Sequence, residues 1–177
     1  MRKLKLQELK RLSVDAFRRS EKTPVVLILD NIRSGMNVGS AFRTADAFAL
    51  QRVVLCGITA RPPHREILKT AIGATESVAW SYEEDPAKAV RQLQLEGYKV
   101  YAVEQAVGSV PLQEFKMPAD GSPVALVFGN EVSGVLESVM ELVDGAIEVP
   151  QFGTKHSLNV AVCVGVVVWE LVRRVRF

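Results

Sequence analysis

A chain of 177 residues, 48% hydrophobic and 24% charged, suits one folded domain and excludes a disordered or low-complexity scaffold. The net charge of +2 conceals an asymmetry, because residues 1–22 carry eight basic and three acidic side chains and the remainder is net acidic. The longest apolar run, Val160–Trp169, is about half a membrane span and is closed by Glu170; with no signal-peptide pattern at the start, a cytoplasmic protein is expected.

Leu4, Leu9, Leu12 and Phe17, with basic residues between them, suit a short amphipathic helix lying on the domain, ended by Thr23-Pro24. This basic segment and Arg173, Arg174 and Arg176 at the other end fit either a phosphate-rich partner or a solvated helix face. Val25–Leu29 is a continuous apolar run of strand length, the kind buried on both faces of a parallel sheet. After Asp30-Asn31, a helical pattern places Val38, Ala41, Phe42, Ala45 and Phe48 on one face. Arg52–Cys56 reads as a second strand, Arg65–Thr70 as a short helix and Ser77–Tyr82 as a third strand. Asp85-Pro86 starts a helix that runs to Leu95 and stops at Gly97. Lys99–Val103 and Pro123–Phe128 are strands, Ser133 is placed to cap a short helix, and Ala146–Val149 is a strand stopped by Pro150.

The last run, Leu158–Val172, is valine-rich, which favours a strand. Its length, the cap expected at Ser157 and the arginines at its end favour a buried helix instead. Asn159 stands at its head among apolar residues, so its amide is either bonded to the chain's own backbone or kept for a ligand. Strand and helix alternate about six times, the mark of an α/β fold with a mainly parallel sheet flanked by helices.

The common nucleotide motifs are absent. Gly129–Gly134 has P-loop glycine spacing, but Val135-Leu136 follow where Lys and Ser or Thr are required. His64 and His156 have no second metal ligand at suitable spacing, and Cys56 and Cys163 read as small buried hydrophobes. Three polar clusters remain, each following an expected strand: Asp30–Thr44, Phe128–Gly134 and Val149–Asn159. In parallel sheets, ligands bind outside the carboxyl ends of the strands, where such loops meet. Arg43, within one turn of Phe42 and Ala47, fits a brace paired with Glu131, a guanidinium fork for phosphate, or both.

In order and spacing, these clusters resemble the three motifs of the SpoU (TrmH-like) family of RNA ribose 2′-O-methyltransferases, in the SPOUT superfamily. Asn37-x-Gly39-x-x-x-Arg43-Thr44 is similar to the first motif, Phe128-Gly-Asn-Glu131-x-x-Gly134 to the second, and Val149-Pro with Ser157-Leu-Asn159 to the third. The resemblance spans Val25 to Leu171 and implies an α/β domain over residues 23–177 with a C-terminal deep trefoil knot, preceded by a basic helical extension over 1–22. It also implies S-adenosylmethionine as cofactor, no metal, and an active site formed across a homodimer.

Carried over by position, the cofactor pocket would use Val103, Glu104, Gly129, Asn130, Val149, Ser157 and Leu158, with Pro150–His156 as a lid. The catalytic set would be Arg43, Asn37, Glu131, Ser157 and Asn159. A guanidinium is too basic to be neutral cheaply, so Arg43 is expected to bind the adjacent phosphate and steady the developing oxyanion. Asn37 and Glu131 would position it and the ribose. The short stretch before the first strand suggests tRNA as substrate. The alternatives are ribosomal RNA, a non-catalytic RNA-binding protein of the same fold, and a knotted base methyltransferase.

Overall fold

Alternate residues of the first strand feed two different cores, and the rest of the molecule is layered on that division. In the computed structural model, which describes residues 1–177 with the side chain of Leu6 excepted, β1 is Thr23–Asp30 and all but one of its residues are buried. Val25, Leu27 and Leu29 face one layer and Val26 and Ile28 the other, as the two-residue strand period requires.

The first layer contains α2 (Gly35–Ala47), α3 (Arg65–Ala71), α4 (Ala74–Ser77) and α7 (Val160–Arg176), with α1 (Val14–Arg19) beside α4. The second contains α5 (Pro86–Leu95) and the single turn α6 (Glu137–Met140). Between them lie β2 (Leu50–Cys56), β3 (Trp80–Glu83), β4 (Lys99–Val103), β5 (Val110–Pro111), β6 (Val124–Phe128) and β7 (Gly145–Glu148).

All six strand pairings are parallel, in the order β3-β2-β1-β6-β4-β7-β5. The chain builds outward from β1 to β3, then returns to the other side of β1 to add the remaining strands. The order therefore switches direction at β1 and β6, the kind of place outside whose carboxyl ends parallel sheets commonly bind ligands. It also puts β1, β6, β4 and β7 side by side, so the loops that follow them are neighbours.

Several sequence expectations are corrected. The N-terminal segment is not one amphipathic helix: a 3-10 turn at Leu6–Leu9 ends at Lys10, whose φ of 48° breaks it, and α1 starts only after Ser13. Leu4, Leu9 and Leu12 are exposed, and Phe17 alone of the four packs on the core. Ser77 ends α4 rather than starting β3. Ser133 does not cap α6, whose N-cap is Leu136 with no side-chain bond. Ser157 does not cap α7 either; Asn159 does, its Oδ1 accepting from Ala161 N at 2.9 Å and Val162 N at 3.3 Å. The valine-rich run is a helix, as expected.

Candidate functional site

The loop after β6 is built so that backbone, not side chain, fills its centre. Asn130 and Gly134 exchange hydrogen bonds of 3.0 and 2.9 Å, closing a small ring. Asn130 Oδ1 accepts from Val132 N and Ser133 N, while its Nδ2 donates to Asn31 O at 2.6 Å. A Cβ on Gly129 would sit 2.2 Å from the Gly134 carbonyl carbon and Val135 N, so no larger residue fits without moving backbone. Gly134 has φ +70°, and a Cβ there would meet a Glu104 carboxylate oxygen at 2.4 Å. Both glycines of the second motif are thus required by close approach.

Glu131 points across to the first motif. Its carboxylate accepts from Arg33 N at 2.9 Å, Ser34 N at 3.1 Å and Asn37 Nδ2 at 2.9 Å, at the N-terminus of α2. Burial opposes its charge, but the bonds from Arg33, Asn37 and Ser34 outweigh it and hold the carboxyl below its ordinary range. Asn37 Oδ1 in turn accepts from Asn159 Nδ2 at 3.2 Å. Glu131, Asn37 and Asn159 therefore form one relay that joins the second motif, the head of α2 and the cap of α7. The sequence alternatives for Asn159 resolve to the chain's own backbone and Asn37.

Beneath this relay, Asp30 is fully buried. Its carboxylate accepts from Leu136 N at 3.0 Å and Asn31 Nδ2 at 2.7 Å, and burial raises its pKa against those bonds. It clamps the far end of the second loop to the end of β1.

The loops after β4, β6 and β7, with the start of α7, enclose a cleft of about 520 Å³. All seven residues expected to bind the cofactor line it: Val103, Glu104, Gly129, Asn130, Val149, Ser157 and Leu158. Glu131 and Asn159 line it too, but Asn37 and Arg43 do not. Gln105, whose Nε2 donates to His156 O at 2.7 Å and so ties the β4 loop to the third motif, was not anticipated. Its place directly after Glu104 at a strand end was the available signal. Cys163, one turn into α7, also lines the cleft, and its thiol is pushed up to about 11 by burial.

Arg43 lies elsewhere. Six residues after Asn37, it is turned about 120° around the helix axis at 3.6 residues per turn. It is exposed and borders a separate hollow with Ser40, Thr44, Phe48, Lys69 and Thr70. The brace is excluded, because Glu131 is taken by Arg33, Ser34 and Asn37, and no ion pair among the described residues includes Arg43. Among the described residues there is also no group of three or more side chains that could hold a metal ion.

An all-parallel α/β sheet whose binding cleft is assembled from late strand ends defines the class. Residues 24–169 match the family described as "SpoU rRNA Methylase family", and the chain belongs to it. The chain is 29% identical over 168 residues to the 23S rRNA (guanosine-2'-O-)-methyltransferase RlmB of Vibrio parahaemolyticus serotype O3:K6, covering 95% of this chain and 66% of that protein. It is 36% identical over 146 residues to the 23S rRNA (guanosine(2553)-2'-O)-methyltransferase RlmP of Bacillus subtilis, covering 82% of this chain and 57% of that one. The AdoMet-bound rRNA methyltransferase of Sinorhizobium meliloti superposes with a TM-score of 0.80 at 26% identity, over 91% of this chain and 60% of that structure. The chain thus spans less than two thirds of the length of these relatives.

Proposed function

We propose that this chain is an S-adenosylmethionine-dependent RNA methyltransferase acting on a ribose 2′-hydroxyl, with residues 23–177 as its methyltransferase domain. The observation that carries this is the convergence of seven residues from four separate stretches on one cleft of about 520 Å³, a volume that suits a nucleoside-sized ligand. The lining fits the group. Backbone around Gly129 and Val149 can read an adenine edge, Val103 and Leu158 offer apolar walls, and Glu104 and Glu148 supply negative charge for a cation. The cofactor supplies an electrophilic methyl group. The knot implied by the family would lie where Gln105 holds the third loop, with residues 150–156 as the lid.

The chain's own work is positional. The Glu131–Asn37–Asn159 relay fixes the three loops around the cleft, and Ser157 offers a hydroxyl at its mouth. Arg43 is the group for the acceptor: its fork binds the phosphate next to the ribose and stabilises the oxyanion as it develops, while the hydroxyl proton leaves to that phosphate or to water. Because it faces away from its own cleft, we assign it to the cleft of a second copy in a homodimer. The support is a stripe on α7, Val162, Val166 and Trp169, which is 55%, 40% and 48% exposed, with Met36 of α2 also exposed. A contiguous apolar stripe of this kind calls for a covering surface.

The names of the relatives favour ribosomal RNA over the tRNA expected from the sequence, and we propose rRNA as the substrate, met in the cytoplasm. Incubation with methyl-labelled S-adenosylmethionine and either rRNA or tRNA, followed by digestion to nucleosides, tests both points. Label in 2′-O-methyl nucleosides from rRNA is expected. Label on a base, or none from either RNA, would overturn the assignment, and label from tRNA alone would reverse the choice of substrate.

A further inference from the structure

At the opposite edge of the sheet, β3 carries Trp80 and Tyr82 on one face, two residues apart and 37% and 36% exposed. With Ile58, Arg61 and His64 from the loop after β2 they wall a second hollow, of about 640 Å³. Edge strands are more often blunted by charge than surfaced with large aromatics.

This hollow is held in shape. The Arg61 guanidinium lies 4.2 Å from the centre of the Tyr82 ring, and Tyr82 Oη donates to Gly57 O at 3.0 Å, so both groups have a partner that favours their place. His64 Nδ1 accepts from Glu66 N, which in the neutral ring leaves the proton on Nε2 as a donor. Glu83 alternates to the other face of β3, where it accepts from Asp85 N.

The hollow is also joined to the proposed active site. Ile58 N donates to Asn31 Oδ1 at 3.0 Å, and Ile32 N donates to Thr59 Oγ1 at 2.9 Å. A Cβ on Gly35 would touch His64 Nδ1 at 3.0 Å. The loop that forms its floor is thus bonded to the same segment that presents Arg33 and Ser34 to Glu131. An exposed aromatic face beside a fixed guanidinium and an imidazole donor suits one chemistry well, a planar base with its phosphate.

We propose that this hollow is a nucleotide subsite for the RNA substrate, in which an unstacked base near the methylated residue lies on Trp80 while Arg61 and His64 hold its phosphate. The proposal rests on the RNA methyltransferase function above. It is tested with the full chain by measuring KM for RNA, kcat and cofactor affinity in Trp80→Ala, Trp80→Phe and Arg61→Ala. Trp80→Ala should raise KM for RNA about tenfold, the usual scale for losing one base stack, with kcat and cofactor affinity unchanged. Trp80→Phe, which keeps an aromatic face, should restore KM to within about twofold of the parent. Arg61→Ala should raise KM in the same way.

An unchanged KM in both alanine variants would overturn the subsite and leave methyl transfer untouched. If the parent transfers no methyl group, direct RNA binding separates the two ideas. About tenfold weaker binding by Trp80→Ala keeps the subsite while the activity assignment falls, and equal binding by all variants rejects the subsite as well. Should Trp80→Ala lose its fold by circular dichroism, Arg61→Ala and Trp80→Phe carry the same comparison.

Discussion

Phe42 and Arg43 are adjacent in sequence and sit in opposite worlds. Phe42 is fully buried in the core shared with β1 and α7, whereas Arg43 is exposed beside Lys69 and Thr70. The same division runs along α7, where Val164, Val167, Val168 and Leu171 are buried and Val162, Val166 and Trp169 are not. The inner faces of both helices are spent on the fold. The outer faces carry a cation and partly exposed apolar area, and it is there that the proposed homodimer would place its second copy.

The inner face should show the largest effect on stability and little that is specific to activity. Phe42→Ala removes a fully buried ring, and urea unfolding should report a loss of about 3–5 kcal/mol. On the outer face the order reverses. Arg43→Ala should lower methyl transfer about 10²–10³-fold, with unfolding free energy and calorimetric cofactor affinity close to the parent. Loss of cofactor binding in that variant would place Arg43 at its own cleft after all.

Between the two faces stands Glu131, at the head of α2. Glu131→Gln keeps the shape but weakens three bonds to one carboxylate, and should lower stability by only about 1 kcal/mol, since the residue is exposed to solvent. Its pH dependence has a definite sign. Because its folded pKa is depressed, its contribution is fully present above the ordinary carboxylate value of about 4.3 and is lost as pH falls through the lower folded value. Acid unfolding followed by circular dichroism should show a shallower fall in that window for Glu131→Gln than for the parent.

Much of this arrangement was legible in the sequence. Val25–Leu29 and Val124–Phe128 are apolar at every position, so their burial on both faces of a parallel sheet followed from composition alone. Asp85-Pro86 fixed the start of α5, and Gly97, at φ +89°, fixed its end. The short edge strand β5 was missed because two residues, one of them a proline, carry no periodic signal. Ser157 and Asn159 are both good caps, and only the path of the loop, set by the bond to Asn37, selects the second.

Within the site, the residues proposed to bind the cofactor were legible because each ends or immediately follows a recognisable strand or belongs to a recognisable motif. The failure of the Arg43–Glu131 brace was a matter of angle. Spacing along the chain brings Arg43 near, but the helix turns it to the outer side, and Glu131 is held by groups at the helix head instead.

The central claim is that Arg43 of one copy serves the cleft of another. Arg43→Ala and Gly129→Ala, the latter closing the second loop where a Cβ has no room, should each be inactive alone. Co-expressed, the two variants should form mixed dimers in which one of the two sites has both an intact cleft and an intact arginine. Random pairing then predicts about a quarter of parental methyl transfer. A mixture as inactive as either variant alone would contradict the account.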